Sequence, residues 1–196
     1  TNVTTPAASV NYTIFISGSG PPGQPGFLNG TGTEAKFNYP RGLAVGPDSN
    51  IYVADSKNHC IRKITLGGYT TTFFGTGGTA GSTLTTLNEP TDVKFLRNNT
   101  NTIVWPMLVT DSKNDRILMI SSTGVAVSFT GNNSLTLTTP LGIAVDNTLN
   151  KIYCSASHCI FALTFPTLPV SDFGTIQSLT VLAGLSGTSG TVDGPG

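Results

Sequence analysis

Short apolar runs separated by turn residues recur along this chain, and the clearest set lies between positions 40 and 65. Three apolar runs alternate there with turns rich in Gly, Pro, Asp and Asn. Alternation on this length scale predicts three antiparallel strands in a meander. A run of aromatic and β-branched residues from Tyr69 to Gly75 predicts a fourth strand that completes the unit.

The four-strand unit occurs three times. Pro40, Pro90 and Pro140 open the copies at intervals of 50 residues. A period of about 40–50 residues with four strands per unit is the signature of a β-propeller. We therefore predict an all-β fold, a β-propeller of four-stranded antiparallel blades. About three blades are present, at residues 40–76, 90–130 and 140–184.

The segments outside these three blades bear on whether the ring is complete. Residues 1–10 are predicted to be a tail, and 11–196 a propeller section that opens with a strand at 11–17. The Gly-rich residues 185–196 are predicted to lead into a further blade. Three blades cannot close a ring, because propellers typically have four to eight. We expect the open blade faces to be covered by further chain or by another chain.

The first copy resembles the NHL repeat. That family has a Phe-x-x-Pro-x-Gly segment, then a Tyr-Val-Ala-Asp strand, then an Asn-His-x-Ile-Arg-Lys segment. The matching positions are Phe37, Pro40, Gly42, Ala44, Val45, Tyr52, Val53, Ala54, Asp55, Asn58, His59, Ile61, Arg62 and Lys63. The later copies depart from the pattern: Thr91-Asp92 stands in the Gly region of the second, and Ala156 replaces Asp in the third. The resemblance spans roughly residues 11–196 and implies a propeller, usually of six blades, in an extracellular member of the family.

The charge distribution argues against a nucleic-acid partner. Lys plus Arg and Asp plus Glu number 10 each, and the basic residues are scattered. A nucleic-acid binder usually shows a basic patch or stripe. No apolar run approaches the roughly 20 residues that a membrane-spanning helix needs, so no membrane span is predicted.

Glycosylation sequons point to the secretory pathway. Five positions fit Asn-x-Ser/Thr, and chance alone also produces such triplets in a chain rich in Asn and Thr. The positions are Asn2, Asn11, Asn29, Asn98 and Asn132. Four of the five fall in the tail or in predicted loops, where an attached glycan is tolerated.

Two of the three cysteines are predicted to form a disulfide. Cys154 and Cys159 flank what looks like a four-residue hairpin loop, so they are expected to face each other across the ladder. That separation suits a disulfide; the alternative is two small buried thiols. Cys60 is predicted to be a core residue. A disulfide together with sequons predicts a secreted or cell-surface protein.

The residues with catalytic potential fall mostly at repeated corners. We predict that the corner carboxylates accept backbone N–H groups within turns and that the two histidines are parts of the repeat. The repeat-structural set is Asp55, Asn58, His59, Asp111, Asn114 and His158. The alternatives are an acid–base pair and a metal site, but two histidines fall short of the three protein ligands usual in catalytic zinc sites. Trp105 is predicted to be core rather than a binding platform, with Pro106 at an edge or bulge.

We predict a non-catalytic binding or assembly module without a cofactor, possibly a structural glycoprotein of a surface coat or filament. Its partner is a protein, or a further copy that associates through open blade faces. An apolar insertion outside the repeat is the candidate contact segment, with Phe165, Leu168, Val170, Phe173 and Ile176. The alternative is a metal-dependent propeller enzyme of the lyase or lactonase type. It requires convergent ligands on the innermost strands, which offer only Asp92, with Asp146 just beyond.

Overall fold

A computed structural model describes residues 17–18, 24–98, 100–131, 135–146, 148, 151–164 and 178–184. Short strands dominate it. They are β1 (Gly30–Thr31), β2 (Pro40–Val45), β3 (Ile51–Asp55), β4 (Cys60–Ile64), β5 (Tyr69–Phe74), β6 (Pro90–Arg97), β7 (Ile103–Asp111), β8 (Arg116–Ile120), β9 (Ala126–Phe129), β10 (Pro140–Asp146), β11 (Lys151–Ala156), β12 (Cys159–Thr164) and β13 (Ser178–Ala183). Single 3-10 turns cover Gly32–Glu34, Ser56–Asn58 and Ser112–Asn114.

The strands form three antiparallel sheets in chain order. Their strand orders are β1-β5-β4-β3-β2, β6-β7-β8-β9 and β10-β11-β12-β13. Each sheet is one blade, with β2, β6 and β10 packed side by side as the innermost strands. The predicted architecture of about three four-stranded blades is confirmed. Blade one differs in one respect, because the two-residue strand β1 pairs with β5 at its outer edge.

Two apolar clusters fill the spaces between blades. The cluster between blades one and two contains Tyr52, Ile61, Val93 and Met107, all fully buried. The cluster between blades two and three joins residues of β7 and β8 to residues of β10, β11, β12 and β13. Each blade is thus held mainly by apolar burial against its neighbours, the dominant favourable term in folding.

Trp105 and Pro106 lie at an irregularity in β7. Leu96 pairs with Val104 but Phe95 pairs with Met107, so two residues of β7 have no counterpart on β6. The Trp105 ring packs edge-on against Phe95, with ring centroids 5.1 Å apart, and belongs to the cluster between blades one and two. The predicted bulge and the predicted core role of Trp105 are both confirmed.

The β11–β12 hairpin contradicts the geometry on which the disulfide was predicted. Ala156 pairs with Cys159, so the loop has two residues and not four. Ser157 in that loop adopts a left-handed φ of 51°. Cys154 pairs with Phe161 instead, so the two cysteines lie diagonally across the ladder. Both thiols are free and buried, as is that of Cys60.

Several sequence predictions lie outside the described residues: the tail, most of the strand at 11–17, the contact segment at 165–176, the lead-in at 185–196, and the sequons at Asn2, Asn11 and Asn132. Within the described part of the chain, no helix has the length and apolar character that crossing a bilayer requires.

Candidate functional site

Each blade has a forward face, directed at the next blade along the chain, and a rear face, directed at the preceding one. The strand pairings place equivalent residues on each forward face. They are Tyr52, Ala54, Ile61 and Phe74 in blade one; Leu108, Thr110, Ile117 and Phe129 in blade two; and Tyr153, Ser155, Ile160 and Ala183 in blade three. The first two sets are covered by the next blade.

The forward face of blade three is uncovered. Ile160 is 40% exposed, whereas its equivalents Ile61 and Ile117 are 0% and 2% exposed. Tyr153 is half-buried, whereas Tyr52 is fully buried. Beside this face lies a shallow cleft of about 290 Å³, lined in part by Ser157, Ile160 and Ala183.

In blade one, a carboxylate at the corner after β3 gathers three donors. Asp55 is fully buried and accepts hydrogen bonds from the Asn38 N–H at 2.7 Å, from Asn58 Nδ2 at 2.8 Å and from Arg62 Nη1 at 2.9 Å. Burial raises the pKa of the Asp55 carboxyl, and these hydrogen bonds oppose that rise. The donors make the corner a junction between the blade and the segment that precedes it.

Arg62 extends this junction to the preceding segment. Its guanidinium is fully buried, donates to the carbonyls of Lys36 and Leu28 at 2.9 and 2.8 Å, and lies between the rings of Phe27 and Phe37. Asn58 Nδ2 also donates to the Gly26 carbonyl. A fully paired guanidinium between aromatic rings stabilises an otherwise irregular segment.

Blade two builds the same junction from a different strand position. Asp111 accepts from the Asn88 N–H at 2.7 Å, from Asn114 Nδ2 at 2.8 Å and from Arg116 Nε at 2.7 Å. Arg116 then donates to carbonyls of the preceding segment, at Ser82, Thr83 and Thr86. By strand pairing Arg116 is equivalent to Cys60, and the position equivalent to Arg62 holds Leu118. The arginine has moved by two residues, which keeps it on the same face of the strand.

Blade three replaces the polar junction with apolar residues. Ala156 stands at the position of Asp55, Cys159 at that of Cys60 and Phe161 at that of Arg62. All three are buried in the cluster between blades two and three. The shorter corner also omits the Lys-Asn pair, so no counterpart of Asn58 is present.

A hydrogen bond links each corner to the following blade. His59 Nδ1 accepts from the Glu89 N–H at 3.1 Å, and Asp115 Oδ1 accepts from the Thr139 N–H at 2.7 Å. Glu89 and Thr139 directly precede the repeat prolines, and both have a left-handed φ, 51° and 49°. His59 and Asp115 therefore hold the same place in their blades, although the sequence pattern marks them as a mismatch. The remaining corner histidine, His158, is exposed and makes no side-chain hydrogen bond among the described residues.

Asp92 connects all three innermost strands. It stands where blades one and three have Gly42 and Gly142, and its Oδ1 accepts from Lys94 Nζ at 2.6 Å. Its Oδ2 accepts from the Ile143 N–H at 3.0 Å, which ties blade two to blade three. A Cβ on Gly42 would collide with the Asp92 carboxylate, so the glycine there makes room for this side chain. The carboxylate is thus occupied by structural contacts.

The innermost strands also line a cavity of about 430 Å³, bounded by residues such as Ala44, Lys94, Phe95 and Ala144. Among the described residues, no group of three or more His, Cys, Asp or Glu side chains is placed to hold a metal ion. Asp55 and Asp111 belong to separate blades and are each paired within their own corner. The structure does not bring the predicted site residues together into one cluster.

Two sequons lie among the described residues. Asn29 is exposed, and its Oδ1 accepts from Arg62 Nη2 at 2.8 Å. Asn98 is half-buried, and its Oδ1 accepts from the Thr100 and Thr102 N–H groups at 3.1 and 2.8 Å. In both residues the oxygen is engaged, while no described contact involves the amide nitrogen to which a glycan attaches.

Comparison with known proteins agrees with this geometry. The NHL repeat family matches residues 37–64, which contain the corner of blade one. Blade one carries an NHL repeat. The chain is 38% identical over 85 residues to Protein SUPPRESSOR OF QUENCHING 1, chloroplastic, of Arabidopsis thaliana, a match that covers 39% of this chain and 8% of that protein.

Solved structures match this NHL-type chain in fold. An auxiliary nutrient binding protein from Bacteroides ovatus matches with a TM-score of 0.52 and 16% identity, over 63% of this chain and 36% of that one. Catalytically inactive virginiamycin B lyase from Staphylococcus aureus, solved with quinupristin, matches with a TM-score of 0.50 and 18% identity, over 72% of this chain and 40% of that one. The chain thus spans less than half the length of the proteins it matches. At these identities the matches establish the propeller fold and no activity.

Proposed function

We propose that this NHL-type chain is a non-catalytic assembly module that works outside the cytosol, and that its forward face on blade three docks a blade-like partner surface. The observation that carries the proposal is the exposure of Ile160, at a position that is buried in both other blades. Uncovered apolar surface on a rigid frame marks an interaction site more often than scattered single residues do.

The chemistry of the face defines what it accepts. Tyr153, Ile160 and Ala183 offer apolar contact, and His158 at the corner offers a nitrogen acceptor. The other two forward faces bind an apolar sheet together with a backbone N–H donated to the corner residue. A partner for blade three therefore has to present β-sheet residues of that kind, and a small polar ligand does not fit.

The docking surface is tested by photo-cross-linking. A photoreactive amino acid is placed at Ile160 and, as a matched control, at Leu66, an exposed apolar residue in the β4–β5 turn. The protein is then irradiated with the secreted and surface proteins of the cells that produce it. We expect cross-links from position 160 to a β-strand of a partner, and none of these from position 66. Equal labelling from both positions would overturn the proposal.

The proposed compartment is tested by glycan analysis. Protein isolated from its natural source is treated with an N-glycanase, and its mass is measured before and after. We expect a mass loss and conversion of Asn to Asp at Asn29 or Asn98. Unchanged masses at every sequon would remove this support for the secretory pathway.

A further inference from the structure

We propose, building on the assembly function above, that the partner of blade three is the rear face of blade one in a second copy of this chain. Two copies would then alternate head to tail in one closed ring of six blades. Four observations carry this inference: an uncovered rear face, matching apolar surfaces, a matching corner hydrogen bond, and the number of blades.

The rear face of blade one is uncovered at its inner strand. Leu43 is 60% exposed, whereas its equivalents Val93 and Ile143 are 0% and 6% exposed. Val45 is 50% exposed, whereas its equivalent Phe95 is 8% exposed. The chain therefore carries one open forward face and one open rear face, at opposite ends of its row of blades.

These two open faces are of the kinds that already pair inside the chain. Ile61 and Val93 share the cluster between blades one and two, and Ile117 and Ile143 share the cluster between blades two and three. The equivalent pair at the open ends is Ile160 with Leu43. Joining the ends repeats an interface that the chain forms twice within itself, with an aliphatic side chain on each side.

The corner hydrogen bond has both of its parts at the open ends. Tyr39 precedes Pro40, has a left-handed φ of 53° like Glu89 and Thr139, and is exposed. Among the described residues its N–H has no recorded partner outside the strands. His158 occupies the acceptor place, so the inferred bond runs from the Tyr39 N–H of one copy to the imidazole of His158 in the other.

The geometry also favours a closed pair over an open filament. A head-to-tail interface produces a ring when its rotation divides a full turn, and otherwise a filament. Propellers close with four to eight blades. Two copies of three blades give six, which lies inside that range, and each copy then contributes both of its open faces.

Mass measurement tests the ring. Sedimentation velocity of the purified chain over a range of concentrations is expected to give a single species of twice the 20.3 kDa of one chain. We expect Leu43→Arg, Val45→Arg and Ile160→Arg each to sediment as a monomer, because each buries a charge in the interface. Leu66→Arg is the matched control and should stay a dimer. All four positions are exposed in the single chain, and circular dichroism checks that each variant folds.

Mixing the variants tests the direction of pairing. Leu43→Arg retains an intact forward face and Ile160→Arg an intact rear face, so an equimolar mixture should recover an open dimer held by one interface. If like faces paired instead, Leu43→Arg alone would remain dimeric through its forward faces. That result would overturn the inference.

His158 provides a test that a change in apolar burial does not affect. His158→Ala removes the acceptor and should weaken dimerisation by about 3- to 10-fold, the usual effect of losing one hydrogen bond. His158→Asp should come close to the original affinity, because Asp115 accepts the same bond in blade two. Equal weakening by Ala and Asp would contradict the inferred bond.

The outcomes separate this inference from the assembly function. A purified chain that remains monomeric at every concentration overturns the two-copy ring, as do oligomers that grow with concentration. If position 160 still cross-links to a strand of a different protein or of a further blade, the assembly function stands and only the second copy is rejected. If position 160 cross-links to nothing, both proposals fail.

Discussion

Arg62 and Arg116 show that one interaction can be supplied from two strand positions. Both guanidinium groups lie within 3 Å of a buried corner carboxylate and donate to carbonyls of the preceding segment. Breaking a buried pair by removing one partner is strongly destabilising, whereas replacing the whole pair by apolar groups is often tolerated. Blade three shows the second situation, with Ala156 and Phe161 at the places of Asp55 and Arg62.

The corner therefore has a testable energetic signature. Asp55→Ala leaves the Arg62 guanidinium buried without its carboxylate, so we expect a loss of about 3–5 kcal/mol in the free energy of unfolding. The double variant Asp55→Ala/Arg62→Phe should lose less than the single one. Urea unfolding measures both. The control Asp48→Ala removes the partner of Lys63 in an exposed pair and should cost less than about 1 kcal/mol. A double variant less stable than Asp55→Ala would contradict this account.

Asp48 gives the chain a pH-dependent contribution. Partial burial raises the pKa of its carboxyl, but hydrogen bonds from Lys63, Asn50 and Tyr52 outweigh that effect and lower the pKa to about 2. An unfolded Asp has a pKa near 3.9, so the folded state binds this proton less tightly. The contribution is full above about pH 4 and is lost as the pH falls towards 2.

We expect a contribution below about 1 kcal/mol, because the pair is partly solvent-exposed. The stability difference between the original chain and Asp48→Asn should shrink as urea unfolding is repeated from pH 5 down to pH 3. A difference that does not change over this range would show that the carboxylate hydrogen bonds do not stabilise the fold.

At the scale of elements, the apolar pattern was enough to predict most strands. β7 has its predicted bounds at Ile103–Asp111, and β10 begins at the predicted Pro140. The β11–β12 hairpin was predicted wrongly. Its two-residue loop places Ser157 in a left-handed conformation, which non-glycine residues seldom adopt, so nothing in the sequence favoured this tight turn.

Other features of the site have no local signal. The link from Asp115 to Thr139 spans 24 residues, and Arg116 replaces Arg62 from a different strand position. Such contacts follow from strand register, which sequence patterns fix less well than strand existence.

Thiol counting tests the corrected hairpin. After complete denaturation without reductant, alkylation should add three groups, because all three cysteines are free. A Cys154–Cys159 bridge would leave only Cys60 to react. In the folded protein, burial raises the pKa of the Cys60 and Cys154 thiols to about 12 each, so alkylation at pH 8 should be slow. Mass spectrometry reads both results.

For the whole molecule, the three blades differ in how much of their surface is covered. Blade two is packed on both faces, whereas blade one has an uncovered rear face and blade three an uncovered forward face. In repeat proteins, stability is close to a sum of the stability of each unit and the interfaces with its neighbours. The middle blade therefore benefits from two interfaces and the outer blades from one.

Amide hydrogen exchange checks this ranking. In the single chain we expect the slowest exchange in β7 and β8 and faster exchange in β12 and β13, because local opening costs less where fewer contacts are buried. The monomeric variant Ile160→Arg isolates the single chain for this measurement. Uniform protection across the blades would mean that the chain opens as one cooperative unit.

The shifted arginine also affects how such repeats are recognised. A sequence pattern assigns each residue type to one column, and in blade two the column of Arg62 holds Leu118. The ion pair is nevertheless present there, supplied by a residue two columns earlier. The family match stops at residue 64, before an equivalent corner built by Asp111 and Arg116. A search that scores side-chain partners across strand pairs, and not single columns, would count blade two as a full copy.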